Sequence, residues 1–318
     1  MEKKKSYGLL IAGAVLLIAG IILAVFHYNN SYQESVAVGN TLKEVKAQIA
    51  AINDGTATGD LETLKAQQTS LSDEKLSLER PYSYSLALVF LSVLLTMKGI
   101  YNAVHGVYKS TKTDVKRLAM AGLLAALCYI GFAFFKIDIP VGTEKTAFHF
   151  GNVFCVLAAL LLGGYWGGLA GAIGMTIGDL TTSYVTSAPK TFLLKLCIGL
   201  IVGFVAHKIF KLDQEHDARH ITIATIVSSA CGMGFNIIAD PLVGYFYKTY
   251  LLGVPQDLAA NLAKINLGVT AVNAVLAVIL ASLFYFALRP ALKKSGLFVS
   301  VTPVTEKKHK IGQHSCMK

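Results

Sequence analysis

Charge is scarce in this chain: 15% of its 318 residues are Asp, Glu, Lys or Arg, against about 25% in ordinary soluble proteins. With 54% apolar residues and a mean hydropathy of +0.55, that shortage excludes a simple water-soluble globule and points to a polytopic membrane protein. Also missing are a GxxxxGK phosphate loop, an HExxH pair and a GxSxG elbow. The chain therefore carries no ATPase or hydrolase signature, and active transport by it would draw on partner subunits or an ion gradient. Cysteine is sparse. Cys128, Cys155, Cys197 and Cys231 lie in apolar runs and Cys316 near the C-terminus. They form neither a disulfide framework nor a metal spacing and read as small buried hydrophobes.

What is present is long apolar runs, at 7–27, 82–105, 117–136, 191–207, 221–247 and 265–288. Each approaches the roughly 20 helical residues that span a bilayer core. A further stretch, 146–182, is broken by Gly163-Gly164-Tyr165-Trp166-Gly167-Gly168 and reads as two short spans in hairpin, for eight crossings. The net charge of +10 then acquires a direction. With both termini placed in the cytoplasm, 17 of the 29 basic residues fall on that side and 8 on the other, as the positive-inside rule requires. Tyr7 to Tyr28, after the basic start Met1-Glu2-Lys3-Lys4-Lys5, reads as an uncleaved anchor, too long for a signal h-region.

The expected fold is an all-α polytopic membrane protein. Residues 1–110 form a two-anchor region, 111–292 a six-helix membrane unit that binds substrate, and 293–318 a basic cytoplasmic tail. The boundary is set in the basic linker Tyr108–Arg117. Between the anchors, segment 28–81 carries five basic and eight acidic residues. Leu42, Val45, Ile49 and Ile52, then Leu61, Leu64, Leu71 and Leu78, recur at helical spacing on either side of Asn53-Asp54-Gly55. This predicts an outward helical hairpin, either self-packed or partner-binding.

Two small-residue patterns mark close packing in the six-helix unit. Ala121 and Ala125 share a face, as do Gly122 and Ala126; such a face packs within the chain or against a partner helix. Gly167, Gly171, Gly174 and Gly178 form one stripe. Each costs about 1 kcal/mol relative to Ala in a helix, so a stripe of four implies a close neighbour.

Polar residues inside spans are costly and usually face a cavity or each other. Asn152, Asp179, Lys195, Asn236, Asp240, Lys264, Asn266 and Asn273 all fall in the outward half of the predicted unit. Asp179 with Lys195 reads as an ion pair or as ligand contacts. Asp240, before Pro241, is a helix-end residue or a ligand contact, and Asn236 and Asn273 are interhelical hydrogen bonders or ligand contacts. His149, Phe148, Phe150, Tyr184, Phe192 and Tyr245 form an interfacial belt or stack on a flat ring. Substrate binding is assigned to Asn152, Asp179, Tyr184, Lys195, Asn236, Asp240, Lys264 and Asn273, with no metal and no cofactor.

The ordered series Gly151-Asn152, Leu157 to Gly163, Gly167 to Gly174, Gly178-Asp179-Leu180, Ala188 to Phe192 and Lys195 to Gly203 resembles the substrate-binding S components of energy-coupling factor (ECF) vitamin transporters, particularly the riboflavin-type branch. The resemblance spans about 117–288. It implies a six-helix subunit that captures a small water-soluble vitamin or precursor from outside. It also implies docking on a transmembrane coupling subunit through the AxxxA face, here Ala121 and Ala125, with two ATPase subunits driving import. The first 110 residues depart from that pattern, since typical members begin near residue 115 here. An ion-coupled secondary transporter, with Asp179, Asp240 or Lys195 as relay, and a membrane scaffold or sensor working through the outer hairpin remain as alternatives.

Overall fold

The computed structural model describes residues 7–105, 112–142 and 144–301. The basic start, the first part of the linker (108–111), and the tail beyond 301 with Cys316 lie outside them.

Among the described residues, seven helices are long and apolar enough to cross a membrane. Helix α1 (Gly8–His27) continues through a π turn at Tyr28–Tyr32 into α2 (Gln33–Asn53). The chain reverses where Gly55 takes φ +73°, and α3 (Leu61–His105) returns as one helix with Pro81 inside it. Asp60 starts α3 as its cap, accepting from the backbone N–H groups of Glu62 and Thr63 at 3.1 and 3.3 Å. Gly13 faces Thr96, Gly20 faces Val89 and Gly99 faces Leu10, so the two anchors run antiparallel in close contact.

The second unit comprises α4 (Lys112–Ala133), α5 (Gly151–Thr181), α6 (Ala188–Phe204), α7 (Ala218–Phe246) and α8 (Gln256–Lys294). Helix α5 is two arms, because Gly163 leaves the helical region at φ 78°, ψ 176°, which few residues but glycine tolerate. Its arms fold together, with Gly167 against Ala158 and Ala159 and Gly171 against Cys155. Gly174 meets Ala125 and Cys128 of α4, and Gly178 meets Phe132. The glycine stripe is thus the axis on which the first arm of α5 and α4 both pack. The core follows from it: Val156, Ala158, Ala159 and Leu160 of α5, Ile198 of α6, Ala224 of α7, and Ala277 and Tyr285 of α8 are fully buried.

Between α4 and α5 lies an antiparallel β-hairpin of β1 (Lys136–Val141) and β2 (Glu144–His149), with Lys136 opposite His149, so the double span read over 146–182 begins at Gly151 instead. The two small faces of α4 point in different directions. Ala121 and Ala125 turn inward, Ala121 into the core and Ala125 onto Gly174, whereas Gly122 and Ala126 are exposed and nothing lies within 4 Å of a Cβ at Gly122.

At the end opposite the β-hairpin, the beginning of the tail folds back. The Arg117 guanidinium donates to the Ser300 carbonyl at 2.6 Å, and Asp213 accepts from the Ser300 hydroxyl at 2.8 Å and the Val301 N–H at 2.9 Å.

Candidate functional site

At the hairpin end lies a cavity of about 810 Å³, counting its open mouth, between β2 and the ends of α5, α6, α7 and α8. Helical periodicity aims the polar residues into it. Lys190, Thr191, Leu194 and Lys195 follow the start of α6; Asn236 and Asp240 are one turn apart on α7; Asn266, Thr270 and Asn273 stack along α8. Asp179 closes the second arm of α5 and Asn152 opens the first.

Seven of the eight expected residues line this one cavity: Asn152, Asp179, Tyr184, Lys195, Asn236, Asp240 and Asn273. Lys264 does not. It is exposed, because two residues on a helix are about 200° apart and Asn266 holds the inward position. Asp179 and Lys195, read as an ion pair or as ligand contacts, do not pair with each other; the ion pair of the cavity is another. Lys190 donates to Asp240 Oδ1 at 2.6 Å, and Asp240 Oδ2 accepts from Asn266 at 2.9 Å and Thr270 at 3.3 Å. Thr146 of β2 donates to Asn266 Oδ1 at 2.7 Å, so one network joins strand, α8, α7 and α6.

Two expected contacts are committed to the roof rather than to open space. Asn273 accepts from the His149 N–H at 3.1 Å and donates to the Ala147 carbonyl at 3.0 Å, acting as a substitute strand edge for β2. Tyr184 donates to Asp138 at 2.8 Å, and its ring lies under the Lys136 ammonium, 4.6 Å from the centroid. His149 packs edge-on against Phe132 with centroids 5.0 Å apart. Burial first, and the Lys195 charge second, push its pKa down to about 3, so the ring is neutral at ordinary pH.

Four further atoms of the lining have no hydrogen-bond partner in the protein. Asn152 Oδ1, Asp179 Oδ2 and both amide atoms of Asn236 are buried and unpaired, in residues at most 2% exposed. A buried unpaired polar group costs roughly 1–3 kcal/mol. Four of them around one space that also receives the Lys195 side chain are acceptors and a donor set for a small polar molecule or the water it displaces. Sequence reasoning missed Lys190, Asn266 and Thr270 as parts of this frame. The i, i+4 spacing of Asn266 to Thr270 was the available signal. Among the described residues no cluster of His, Cys, Asp and Glu could hold a metal.

Fold and cavity together define a polytopic membrane protein with a preformed polar ligand pocket at one end of a helical bundle. Residues 112–290 match the model of the family "ECF-type riboflavin transporter, S component". That is more than half of the chain, and the chain belongs to this family. No curated protein and no solved structure matches it.

Proposed function

We propose that this chain is the substrate-binding subunit of an ECF-type importer, capturing a small water-soluble vitamin or precursor of the heteroaromatic kind from outside. Separate coupling and ATPase subunits would supply transport and energy. The observation that carries the reading is the group of unpaired atoms on Asn152, Asp179 and Asn236 in one cavity. A flat ring with amide-like edges offers both the donors that Asp179 Oδ2 and Asn152 Oδ1 need and the paired donor and acceptor that match Asn236. Lys208, Lys211, Arg219, Arg289, Lys293 and Lys294 lie near the opposite end, which supports an outward-facing cavity with both termini in the cytoplasm. For the coupling subunit we assign the exposed Gly122 and Ala126 face of α4, a reading supported by the inward turn of Ala121 and Ala125.

The test is mass spectrometry of small molecules that co-purify with the protein, followed by titration with riboflavin, the vitamin in the family's name, without ATP. Retention of a heteroaromatic vitamin or precursor and co-purification of coupling and ATPase subunits are expected. Failure of both, or gradient-driven uptake by liposomes that contain this chain alone, would overturn the reading.

A further inference from the structure

The N-terminal helical pair does not stand apart from the cavity. At its far end it touches the tip of the β-hairpin, the segment after α7 and the end of α5. Lys46 donates to the Gly142 carbonyl at the tip of the β-hairpin at 3.0 Å. Tyr32 donates to the Leu252 carbonyl at 2.5 Å, Tyr82 to that of Leu251 at 3.4 Å, and Tyr84 to that of Leu180, next to Asp179, at 3.4 Å. Tyr28, Tyr32, Tyr82 and Tyr247 form one ring cluster at this seam.

The charged centre of the seam is Glu144, the first residue of β2. Its carboxylate takes Lys248, a residue of the cavity wall, on one oxygen, and the Lys75 ammonium of α3 at 3.9 Å on the other. Lys75 is itself anchored to Glu79 at 2.7 Å. Burial alone would raise the Glu144 pKa, but Lys248 and then Lys75 outweigh it and hold the carboxyl below its usual range, so the charge persists. Next along β2, Thr146 and Ala147 line the cavity. Behind Glu144 a second cavity separates the N-terminal pair from the roof, with Tyr32, Lys75, Gly142 and Leu258 on its walls, which leaves space for the hairpin to move.

We propose that Glu144 is a positioning residue through which the N-terminal helical pair holds the β-hairpin closed over the cavity, so that the pair sets how often the site opens. The consequence, slower ligand entry and exit, rests on the functional reading above; the opening itself does not. Two ion pairs from different units meet on one carboxylate, so losing either loosens the roof without removing any cavity residue from its helix.

Opening can be read without a ligand. Ser187 lines the cavity, and in the full chain Ser187→Cys is labelled with a membrane-impermeant methanethiosulfonate, with the rate of the Ser187 parent subtracted to remove native thiols. Glu144→Gln, which loses both ion pairs, should raise the labelling rate about tenfold, and Lys75→Met, which loses the longer one, about threefold. Glu144→Asp should fall between Gln and the native residue. Monodisperse Glu144→Gln and Lys75→Met proteins that label at the native rate would overturn the proposal. Acceleration by Glu144→Gln alone would overturn the role of the N-terminal pair, leaving the hold to Lys248. If Glu144→Gln does not fold, Lys75→Met decides. Faster labelling in a protein that binds no vitamin would uphold the proposal while the functional reading fails.

Discussion

Lys190 and Asp240 form the ion pair of the candidate site, with Nζ and Oδ1 2.6 Å apart, although the intramembrane charges most evident in sequence were Asp179 and Lys195. The pair stands on α6 and α7, and Asn266 and Thr270 of α8 complete the carboxylate's hydrogen bonds. Removing one member of a buried, hydrogen-bonded pair strands the other and typically costs about 3–5 kcal/mol. Because both side chains keep some contact with the cavity, at 10% and 18% exposure, the expected loss is at the lower end of that range. Asp240→Asn should destabilise the ligand-free protein more than Lys190→Met, since the latter leaves Asn266 and Thr270 on the carboxylate. Denaturant or thermal unfolding in detergent checks the order, and equal or negligible losses would contradict it.

Asn236 offers the opposite test. It is 1% exposed and neither amide atom has a protein partner, so nothing in the empty protein depends on its polarity. Asn236→Leu should leave the stability of the ligand-free protein within about 1 kcal/mol or raise it, because an unpaired amide is replaced by an apolar group of similar size. Affinity for the co-purified ligand should fall about thirtyfold, the worth of two lost hydrogen bonds at roughly 1 kcal/mol each. Calorimetric titration beside a melting curve separates the two effects, and a variant that loses both stability and affinity would assign Asn236 to the frame instead.

Helix existence and the cavity's location were legible because each followed from one strong rule. Apolar runs of about 20 residues have few fates, and span-embedded polar residues such as Asn152, Asp179 and Asn236 have few places to go. What sequence did not resolve was rotation and pairing. Ala121 and Gly122 differ by one position, about 100° on a helix, and both begin a small-xxx-small pattern, so only the neighbour chosen by Gly174 decides which faces in. Lys190, Lys195 and Asp240 were all visible, yet which lysine meets the carboxylate depends on how α6 and α7 cross. The β-hairpin has a weak trace in the alternation of Ile137, Ile139 and Val141 before Gly142. Six residues are too few to outweigh a helical setting. Its stability comes from Asn266 and Asn273, which are far off in sequence.

Gly174 and Gly122 stand on facing and free surfaces, and the same substitution should separate them. An alanine Cβ at Gly174 would overlap the Ala125 carbonyl and lie 2.8 Å from the Cys128 Cβ, both on a rigid helix. Gly174→Ala should therefore cost several times the roughly 1 kcal/mol that overpacking commonly starts from. Gly122→Ala meets nothing and should be neutral or slightly stabilising through helix propensity. Gly122→Leu should still leave ligand binding unchanged, yet reduce co-purification of the coupling subunit if that face docks it. Native stability in Gly174→Ala would contradict the close crossing of α5 and α4.

His149 gives the protein an acid sensitivity whose sign follows from its burial. Its pKa is pushed down to about 3 in the folded chain against 6.5 for the free side chain, burial being the first cause and the Lys195 charge the second. A depressed histidine pKa means that between these values the unfolded chain binds a proton the folded one refuses, so stability falls as pH drops below 6.5. Each unit of descent removes at most about 1.4 kcal/mol from this source. His149→Gln keeps a polar side chain without the titration. The difference in unfolding free energy between the native protein and this variant should be constant above pH 7. It should shift against the native protein by about 1–2 kcal/mol between pH 6.5 and 5. Parallel stability curves through that window would show that His149 accepts a proton in place, and that the roof beside Asn273 is wetter than its packing against Phe132 implies.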